Sequence, residues 1–117
     1  MFEWGDYLAL ARSLVASPEP SEATARSAAS RAYYAAFHKS RGVLERELGA
    51  QLGRERLHPE VIRRLRARPE TRMIGRDVDR LFGMRSHADY NGDRPFPLRY
   101  AEIAVGLASD VLRELGA

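Results

Sequence analysis

The chain has 117 residues, a size that allows one domain with a single hydrophobic core. It contains no cysteine, which excludes disulfides, thiolate zinc sites and a cysteine nucleophile. Apolar residues make up 44% of the chain and the net charge is +3, values typical of a folded globular protein rather than a disordered one.

Neither a membrane span nor a secretory signal is visible in the sequence. No apolar run approaches the ~18 residues that cross a bilayer, and the first helix-forming stretch carries Glu3, Asp6 and Arg12 instead of a basic leader and an apolar core. We therefore expect one cytoplasmic domain over residues 1–117, without a membrane as a partner.

The basic residues are almost all arginines, and they are concentrated in the middle of the chain. Lys39 is the only lysine. The stretch from Arg54 to Arg85 holds ten arginines against five acidic residues, a local net charge of +5. Such a stretch suits phosphate or RNA contact, and it equally suits a solvated helical surface with many salt bridges. The arginines selected as RNA-binding candidates are Arg63, Arg66, Arg76 and Arg80.

Hydrophobic periodicity predicts five helices and no strand. Apolar residues from Trp4 onward recur at helical spacing until Pro18 ends the first helix. Ser21 is a suitable N-cap for the second and longest helix, whose first half is rich in alanine, and Gly49 is a suitable C-cap. Pro59 suits the first position of the short third helix.

The last two helices are separated by a clear break. Asn91, Gly92 and Asp93 interrupt the fourth helix, and Pro95 and Pro97 keep the following connection extended. The predicted helices lie at about 2–16, 21–48, 59–67, 72–90 and 98–115. We therefore predict an all-α fold, an up-and-down bundle of four long helices plus one short helix.

The second helix contains the segment Ser30–His38, with the sequence SRAYYAAFH. At about 100° per residue, Arg31, Tyr34 and His38 share one side of this helix. Tyr33 and Phe37 lie on a different side among the alanines, where we expect them to pack in the core. His38 suits a chemical role or a plain surface role equally well.

The fourth helix ends in Arg85-Ser86-His87-Ala88-Asp89-Tyr90. Arg85 and Asp89 are one turn apart and can pair along the helix. We expect a single polar cluster in which Asp89 bonds Arg31 or Arg85. A guanidinium held in that way could grip a phosphate or a carboxylate. Tyr34, Asp89 and Tyr90 complete the predicted cluster.

These two segments resemble the signature elements of small prokaryotic HEPN proteins. Ser30–His38 is similar to their signature helix, and Arg85 with Ala88, Asp89 and Tyr90 is similar to their late Arg-x-x-Ala-Asp-Tyr element. The opening Tyr7–Ala11 segment and His58 also fit, so the resemblance covers nearly the whole chain. It implies an HEPN-like helical bundle.

The resemblance also has implications for activity and for partners. Many HEPN proteins are metal-independent ribonucleases with an Arg-x(4–6)-His motif near a dimer cleft, and many are toxins paired with a small nucleotidyltransferase antitoxin. Arg31 precedes His38, and Arg80 precedes His87, with six residues between them in each case. The branch with Ala-Asp-Tyr often lacks the catalytic histidine, so membership and ribonuclease activity are separate questions.

Three hypotheses of function remain open at this stage. In the first, a toxin-like ribonuclease uses Arg31 and Arg85 to stabilise phosphoryl charge while His38 or His87 acts on the 2′-hydroxyl. In the second, a non-catalytic HEPN module binds a nucleotidyltransferase partner, RNA or a nucleotide. In the third, the chain is a structural helical dimer.

Other chemistries find little support in the sequence. The three histidines lack a close metal-ligand spacing, and there is no glycine-rich phosphate loop. We therefore expect no metal and no cofactor. We expect a two-fold homodimer built on the second and fourth helices, because the alanine-rich stretch would allow a second chain to approach closely.

Overall fold

The structure, a computed structural model, describes residues 1–49 and 51–116. It contains five α-helices: α1 (Gly5–Val15), α2 (Glu22–Leu48), α3 (Leu57–Arg66), α4 (Arg72–Tyr90) and α5 (Leu98–Glu114). A short 3₁₀ turn, Pro69–Thr71, connects α3 to α4. No strand occurs in these residues. The predicted all-α fold with five helices is therefore confirmed, but α1, with 11 residues, is almost as short as α3, with 10.

The ends of α2 are determined by local hydrogen bonds, as predicted. The backbone N–H of Thr24 donates to Oγ of Ser21 at 3.1 Å, which satisfies one of the free N–H groups of the first turn. Gly49 terminates the helix with φ = 68°, a left-handed conformation that glycine adopts without steric cost.

Two helices begin at residues other than the predicted ones. The first helix begins at Gly5 rather than near Phe2. The third begins at Leu57, so Pro59 is its third residue instead of its first. Proline is tolerated there because the first four N–H groups of a helix have no partner within it. Arg56 precedes this helix with φ = 55°, the only positive φ of a non-glycine residue in the described chain.

The long helix α2 is the centre of the core, in contact with α1, α3, α4 and α5. Tyr33 and Phe37 are completely or almost completely buried, as predicted. The alanines of α2 are buried by helices of the same chain: Ala25, Ala28, Ala29, Ala32, Ala35 and Ala36 are at most 1% exposed. The argument for a homodimer through this alanine-rich surface is therefore wrong, because the intrachain helices already occupy it.

Helices α3 and α4 approach closely at a glycine. A Cβ placed on Gly75 would lie 2.5 Å from Cγ of Arg66 and 2.9 Å from its backbone nitrogen. Such distances are far below van der Waals contact, so the crossing requires a residue without a side chain. This contact holds α3 against the first half of α4.

No helix in the described residues combines the length and the apolar character that a bilayer crossing needs.

Candidate functional site

A row of polar and aromatic side chains runs along the part of α2 that its neighbours leave half-buried. Arg31, Tyr34, His38 and Arg41 occupy successive turns of this side. The guanidinium carbon of Arg31 lies 4.7 Å from the ring centre of Tyr7 on α1 and 5.4 Å from that of Tyr34. The predicted shared side of Arg31, Tyr34 and His38 is therefore present.

Arg85 of α4 reaches the same row from the other side. It is only 7% exposed, and its guanidinium carbon lies 5.3–5.6 Å from the centres of four aromatic rings: Tyr33, Tyr34, Phe82 and Tyr90. Arg31 and Arg85 thus contact the same ring, that of Tyr34. We call Tyr7, Arg31, Tyr33, Tyr34, Phe82, Arg85 and Tyr90 the arginine–aromatic cluster.

The buried guanidinium of Arg85 has few polar partners. Nη1 donates a long hydrogen bond of 3.4 Å to the hydroxyl of Tyr90, and Nε is buried without a hydrogen-bond partner. Among the described residues, Arg85 forms no ion pair with a carboxylate. Its positive charge is therefore compensated mainly by the faces of aromatic rings.

Asp89 lies beside the cluster but does not bond an arginine, contrary to the expectation. The hydroxyl of Ser30 donates to Oδ2 of Asp89 at 3.0 Å, and Nη2 of Arg31 donates to Oγ of Ser30 at 3.4 Å. Ser30 is buried at the contact between α2 and α4, so its hydroxyl, and not a guanidinium, lies within hydrogen-bond distance of the carboxylate. Asp89 therefore connects the two helices and leaves Arg85 without a carboxylate.

His38, the third residue of the row, lies next to the N-terminal segment. Its ring stacks on Trp4 with ring centres 3.6 Å apart and an interplanar angle of 16°. Burial lowers the pKa of His38 to about 4, and the nearby Arg41 and His58 act in the same direction. The imidazole is therefore neutral at neutral pH.

A second histidine, His58 of α3, belongs to the site and was not among the predicted site residues. It stacks on Phe37 with ring centres 4.2 Å apart, and its Nδ1 is hydrogen-bonded to the Tyr33 hydroxyl at 2.5 Å. Burial lowers the pKa of His58, and Arg85 and Arg41 lower it further. Burial raises the pKa of Tyr33 although the charge of Arg85 opposes the shift.

The proton of the Tyr33 hydroxyl decides the tautomer of His58. Tyr33 is fully buried, and His58 is its one polar partner in the described chain. The Tyr33 hydroxyl can donate its hydrogen bond only to Nδ1 of His58. Nδ1 must then accept, so the single N–H of the neutral imidazole is on Nε2. His58 then carries its hydrogen-bond donor at Nε2.

His87 is not part of this site. Its ring packs edge-on against Phe96, with ring centres 5.0 Å apart, and near Tyr100 of α5. Its Nε2 is buried without a hydrogen-bond partner. Arg85 and His87 are two positions apart and therefore point about 160° apart around α4. The structure thus separates His87 from Arg31, His38 and Arg85.

None of the four arginines predicted to bind RNA lies over an aromatic ring of the cluster in the described chain, although Arg63 and Arg66 line a groove with Phe82. Arg63 pairs with Glu60 at 2.6 Å, and Arg66 pairs with Asp79 at 3.0 Å. The hydrogen bond from Arg63 is the main reason that the pKa of Glu60 falls to about 2. Arg76 is nine positions from Arg85, about half a turn around α4, and Arg80 is likewise on the far side. These arginines do not line a cleft with Arg85.

The additional site residues differ in how far the sequence signalled them. Arg41 follows Arg31 by ten positions and Tyr34 by seven, a spacing that places it on the same side of α2. Trp4 is the residue just before α1, and His58 belongs to α3. Periodicity within a single helix therefore cannot link either of them to His38. Only the packing of α1 and α3 against α2 brings them to the site.

The described residues contain no group of three or more histidine, cysteine, aspartate or glutamate side chains that could hold a metal ion. The arrangement instead offers buried guanidinium charge, aromatic rings and two neutral imidazoles, a combination suited to an anionic ligand with flat rings. Comparisons of the chain with protein-family models, curated proteins and solved structures gave no match.

Proposed function

We propose that this protein binds single-stranded RNA at the arginine–aromatic cluster, as an HEPN-like protein. The observation that carries the proposal is Arg85, which is 7% exposed and has no carboxylate partner among the described residues. A buried charge without a counter-ion costs several kcal/mol, and a cation–π contact returns only about 0.5–2 kcal/mol. A phosphate would supply the missing anion.

Two further features favour RNA over a small inorganic anion. Arg31 lies against the same tyrosine ring as Arg85, so a second cation is available for the backbone of the ligand. Tyr90 is 78% exposed and hydrogen-bonded to Arg85, so it offers an open ring face directly beside the cation. Cations next to exposed aromatic rings are the usual means of binding single strands.

The test measures binding of a short fluorescent RNA by anisotropy with the Arg85→Met variant. Methionine fits an apolar cage and removes the charge, so we expect RNA binding to weaken about tenfold or more. We expect the same variant to unfold at an equal or higher denaturant concentration, because it relieves an unpaired buried charge. A structural role for Arg85 would instead lower stability and leave RNA binding unchanged.

The control is Arg113→Met on α5, an exposed arginine paired with Asp110 and outside the cluster. Its RNA affinity should equal that of the wild type. Binding should also weaken steeply as salt rises, because phosphate contacts release counter-ions. Failure of the wild-type protein to bind RNA, or equal affinity of Arg85→Met and the wild type, would reject the proposal.

A second candidate function is metal-independent cleavage of the bound RNA, because two imidazoles lie beside the tyrosines of the cluster, His38 near Tyr34 and His58 against Tyr33. Arg31 and Arg85 would stabilise the charge on the phosphoryl group, and neutral His38 would accept the 2′-hydroxyl proton. The 2′-oxygen would then attack the phosphorus, and the 5′-oxygen would leave with a proton from water, so that a cyclic phosphate is formed. His58, with its hydrogen on Nε2, would donate to a phosphate oxygen. The position of His87 against α5 removes it from this mechanism.

Incubation with total RNA in the presence of a chelator tests cleavage. Products should carry cyclic phosphates, and His38→Ala should abolish their formation while RNA binding persists. The matched control is His87→Ala, which should cut like the wild type. Binding without any cutting would identify a non-catalytic RNA-binding module.

The HEPN resemblance leads us to propose two protein partners as well. One is a nucleotidyltransferase antitoxin, which a nucleotidyltransferase gene next to this one and co-purification of its product would support. The other is a second copy of the chain, which light scattering at micromolar concentration would detect. Because the alanines of α2 are buried, a homodimer would have to use the exposed parts of α2 and α4.

A further inference from the structure

The segment before α1 covers one face of the His38 imidazole. Trp4 stacks on that face with ring centres 3.6 Å apart and an interplanar angle of 16°. Tyr34, one turn earlier on α2, lies nearly parallel to the imidazole at 6.0 Å and 25°. Phe37 meets it edge-on at 5.1 Å. Aromatic rings therefore surround His38, and the contact with Trp4 is the closest of them.

No hydrogen bond orients the imidazole of His38 within the described chain. A histidine base is ordinarily oriented by a third group, often a carboxylate or a carbonyl that accepts from the second ring nitrogen. Here the stacked indole restricts the ring instead. Neither nitrogen of His38 is buried without a partner, so stacking leaves the edge of the ring open for proton transfer.

The position of Trp4 is fixed by its own neighbours. Its ring packs edge-on against Tyr7, with ring centres 5.5 Å apart. The backbone N–H of Tyr7 donates to the carbonyl of Trp4 at 3.0 Å. Glu3 forms an ion pair with Lys39, the residue that follows His38. The segment before α1 is therefore attached to two adjacent residues of α2.

Charged and titratable groups face His38 from each element packed against it. They are Glu3 of the N-terminal segment, Tyr34, Lys39, Arg41, Glu45 and Arg46 of α2, and His58 of α3. Glu3 pairs with Lys39, and Glu45 pairs with Arg41. Both carboxylates therefore have other partners, so neither orients the imidazole nor stabilises its protonated form.

We propose that Trp4 is the positioning residue of His38 and holds its imidazole ready for proton transfer. The role rests on the second candidate function, in which His38 accepts the 2′-hydroxyl proton. Trp4 acts only through the ring on which it stacks. Tyr7, which touches Trp4, in turn lies 4.7 Å from the guanidinium carbon of Arg31. Two aromatic rings in mutual contact thus place the base and one cation of that mechanism.

Nuclear magnetic resonance of the His38 ring tests the contact without RNA. The indole should shift the ring-proton signals upfield, and their titration should give a pKa of about 4. Trp4→Leu removes the stack and admits water, so the upfield shift should disappear and the pKa should rise towards 6.5. Trp4→Phe, which keeps an aromatic ring, should restore most of both effects. Unchanged signals and an unchanged pKa in Trp4→Leu would overturn the proposal.

The pH dependence of RNA cleavage measures the consequence. A base must be neutral to act, so wild-type cleavage should be constant between about pH 5 and pH 7, whereas that of Trp4→Leu should decline towards pH 5. At neutral pH we expect Trp4→Leu to cut about tenfold or more slowly, because its base is misplaced, with unchanged RNA affinity. Trp4→Phe should recover cleavage.

Phe2→Leu is the matched control, since Phe2 is exposed and packs against Trp4 but not against His38. Its cleavage rate and His38 titration should equal those of the wild type. Faster cleavage by Trp4→Leu would show that Trp4 obstructs His38 and would overturn the proposal. A wild type that cuts no RNA would reject the second candidate function, whereas the titration of His38 still decides whether Trp4 positions the ring.

Discussion

Arg26 connects the start of α2 to the end of α4. No sequence motif predicted this role. Its Nη1 donates to the carbonyls of His87, Ala88 and Asn91 at 3.0–3.2 Å, and Nη2 donates to that of Arg94 at 2.6 Å. The last carbonyls of a helix have no partners within it and carry partial negative charge, so a guanidinium stabilises them.

We expect Arg26→Ala to lower the free energy of unfolding by about 2 kcal/mol, the range for hydrogen bonds from a charged donor. Urea denaturation measures the loss. Arg113→Ala removes an exposed arginine whose side chain is 69% accessible, and it should lower stability by no more than about 0.5 kcal/mol. Similar losses in both variants would show that Arg26 does not hold the end of α4.

His38 makes the stability of the fold depend on pH. Between pH 4 and the ordinary pKa of 6.5, the unfolded chain binds a proton at this residue that the folded protein does not bind. Protonation therefore stabilises the unfolded state relative to the folded one, and the free energy of unfolding decreases as pH falls through this window. The contribution of His38 to stability is fully present above pH 6.5. His58, whose pKa is also lowered, contributes in the same direction.

We therefore expect the urea midpoint of the wild type to fall between about pH 7 and about pH 5. His38→Gln, which cannot take up the proton, should show a smaller fall over the same range. Far-ultraviolet circular dichroism follows the transition. Parallel pH profiles of the two proteins would mean that His38 titrates normally in the fold.

The crossing of α3 and α4 depends on Gly75. In Gly75→Ala the new Cβ would clash with the backbone and side chain of Arg66, so the two helices must separate. We expect a destabilisation of about 1–3 kcal/mol, as for other overpacked contacts, measured by chemical denaturation.

Gly83 provides the matched control within the same helix. A Cβ there meets nothing within 4 Å, and the residue is exposed. Gly83→Ala should therefore raise stability by up to about 1 kcal/mol, the usual gain of alanine over glycine in a helix. A loss of stability in both variants would refute the close approach at Gly75 as the cause.

The whole protein should unfold in one transition, because α2 contacts every other helix and the described core is continuous. For 117 residues, an average of about 0.7 kcal/mol per residue gives an unfolding enthalpy of roughly 80 kcal/mol near 60 °C. Differential scanning calorimetry should find equal calorimetric and van't Hoff enthalpies. A van't Hoff enthalpy well below the calorimetric one would reveal a separately unfolding part.

The positions of the helices were predictable because their signals are local. Ser21, Gly49 and the prolines act on backbone groups within a few residues, and the observed ends of α2, α4 and α5 agree with the predicted ones within a residue or so. The shared side of Arg31, Tyr34 and His38 was predictable for the same reason, since residues on one helix have fixed angular relations. The burial of Tyr33 and Phe37 followed from their position among the alanines.

The composition of the candidate site depended on contacts between helices. Whether His87 or His58 faces Arg85 depends on how α3, α4 and α5 are rotated against α2, and the sequence carries no local signal of that rotation. The same holds for Asp89, whose carboxylate is bonded by Ser30 instead of an arginine. The packing also decides which arginines have an acidic partner. Arg63 and Arg66 pair with acidic residues, whereas Arg85 is buried without an acidic partner.

The amino-acid sequence by itself therefore determined the all-α fold, the number of helices and the side of α2 that carries the polar row. These features arise from capping, proline and glycine geometry and hydrophobic periodicity, which act over a few residues. Only the tertiary structure decided which histidine joins the site and which arginine lacks a counter-ion. Those features depend on distances between residues that are far apart in the chain, and such distances are fixed only when the helices pack.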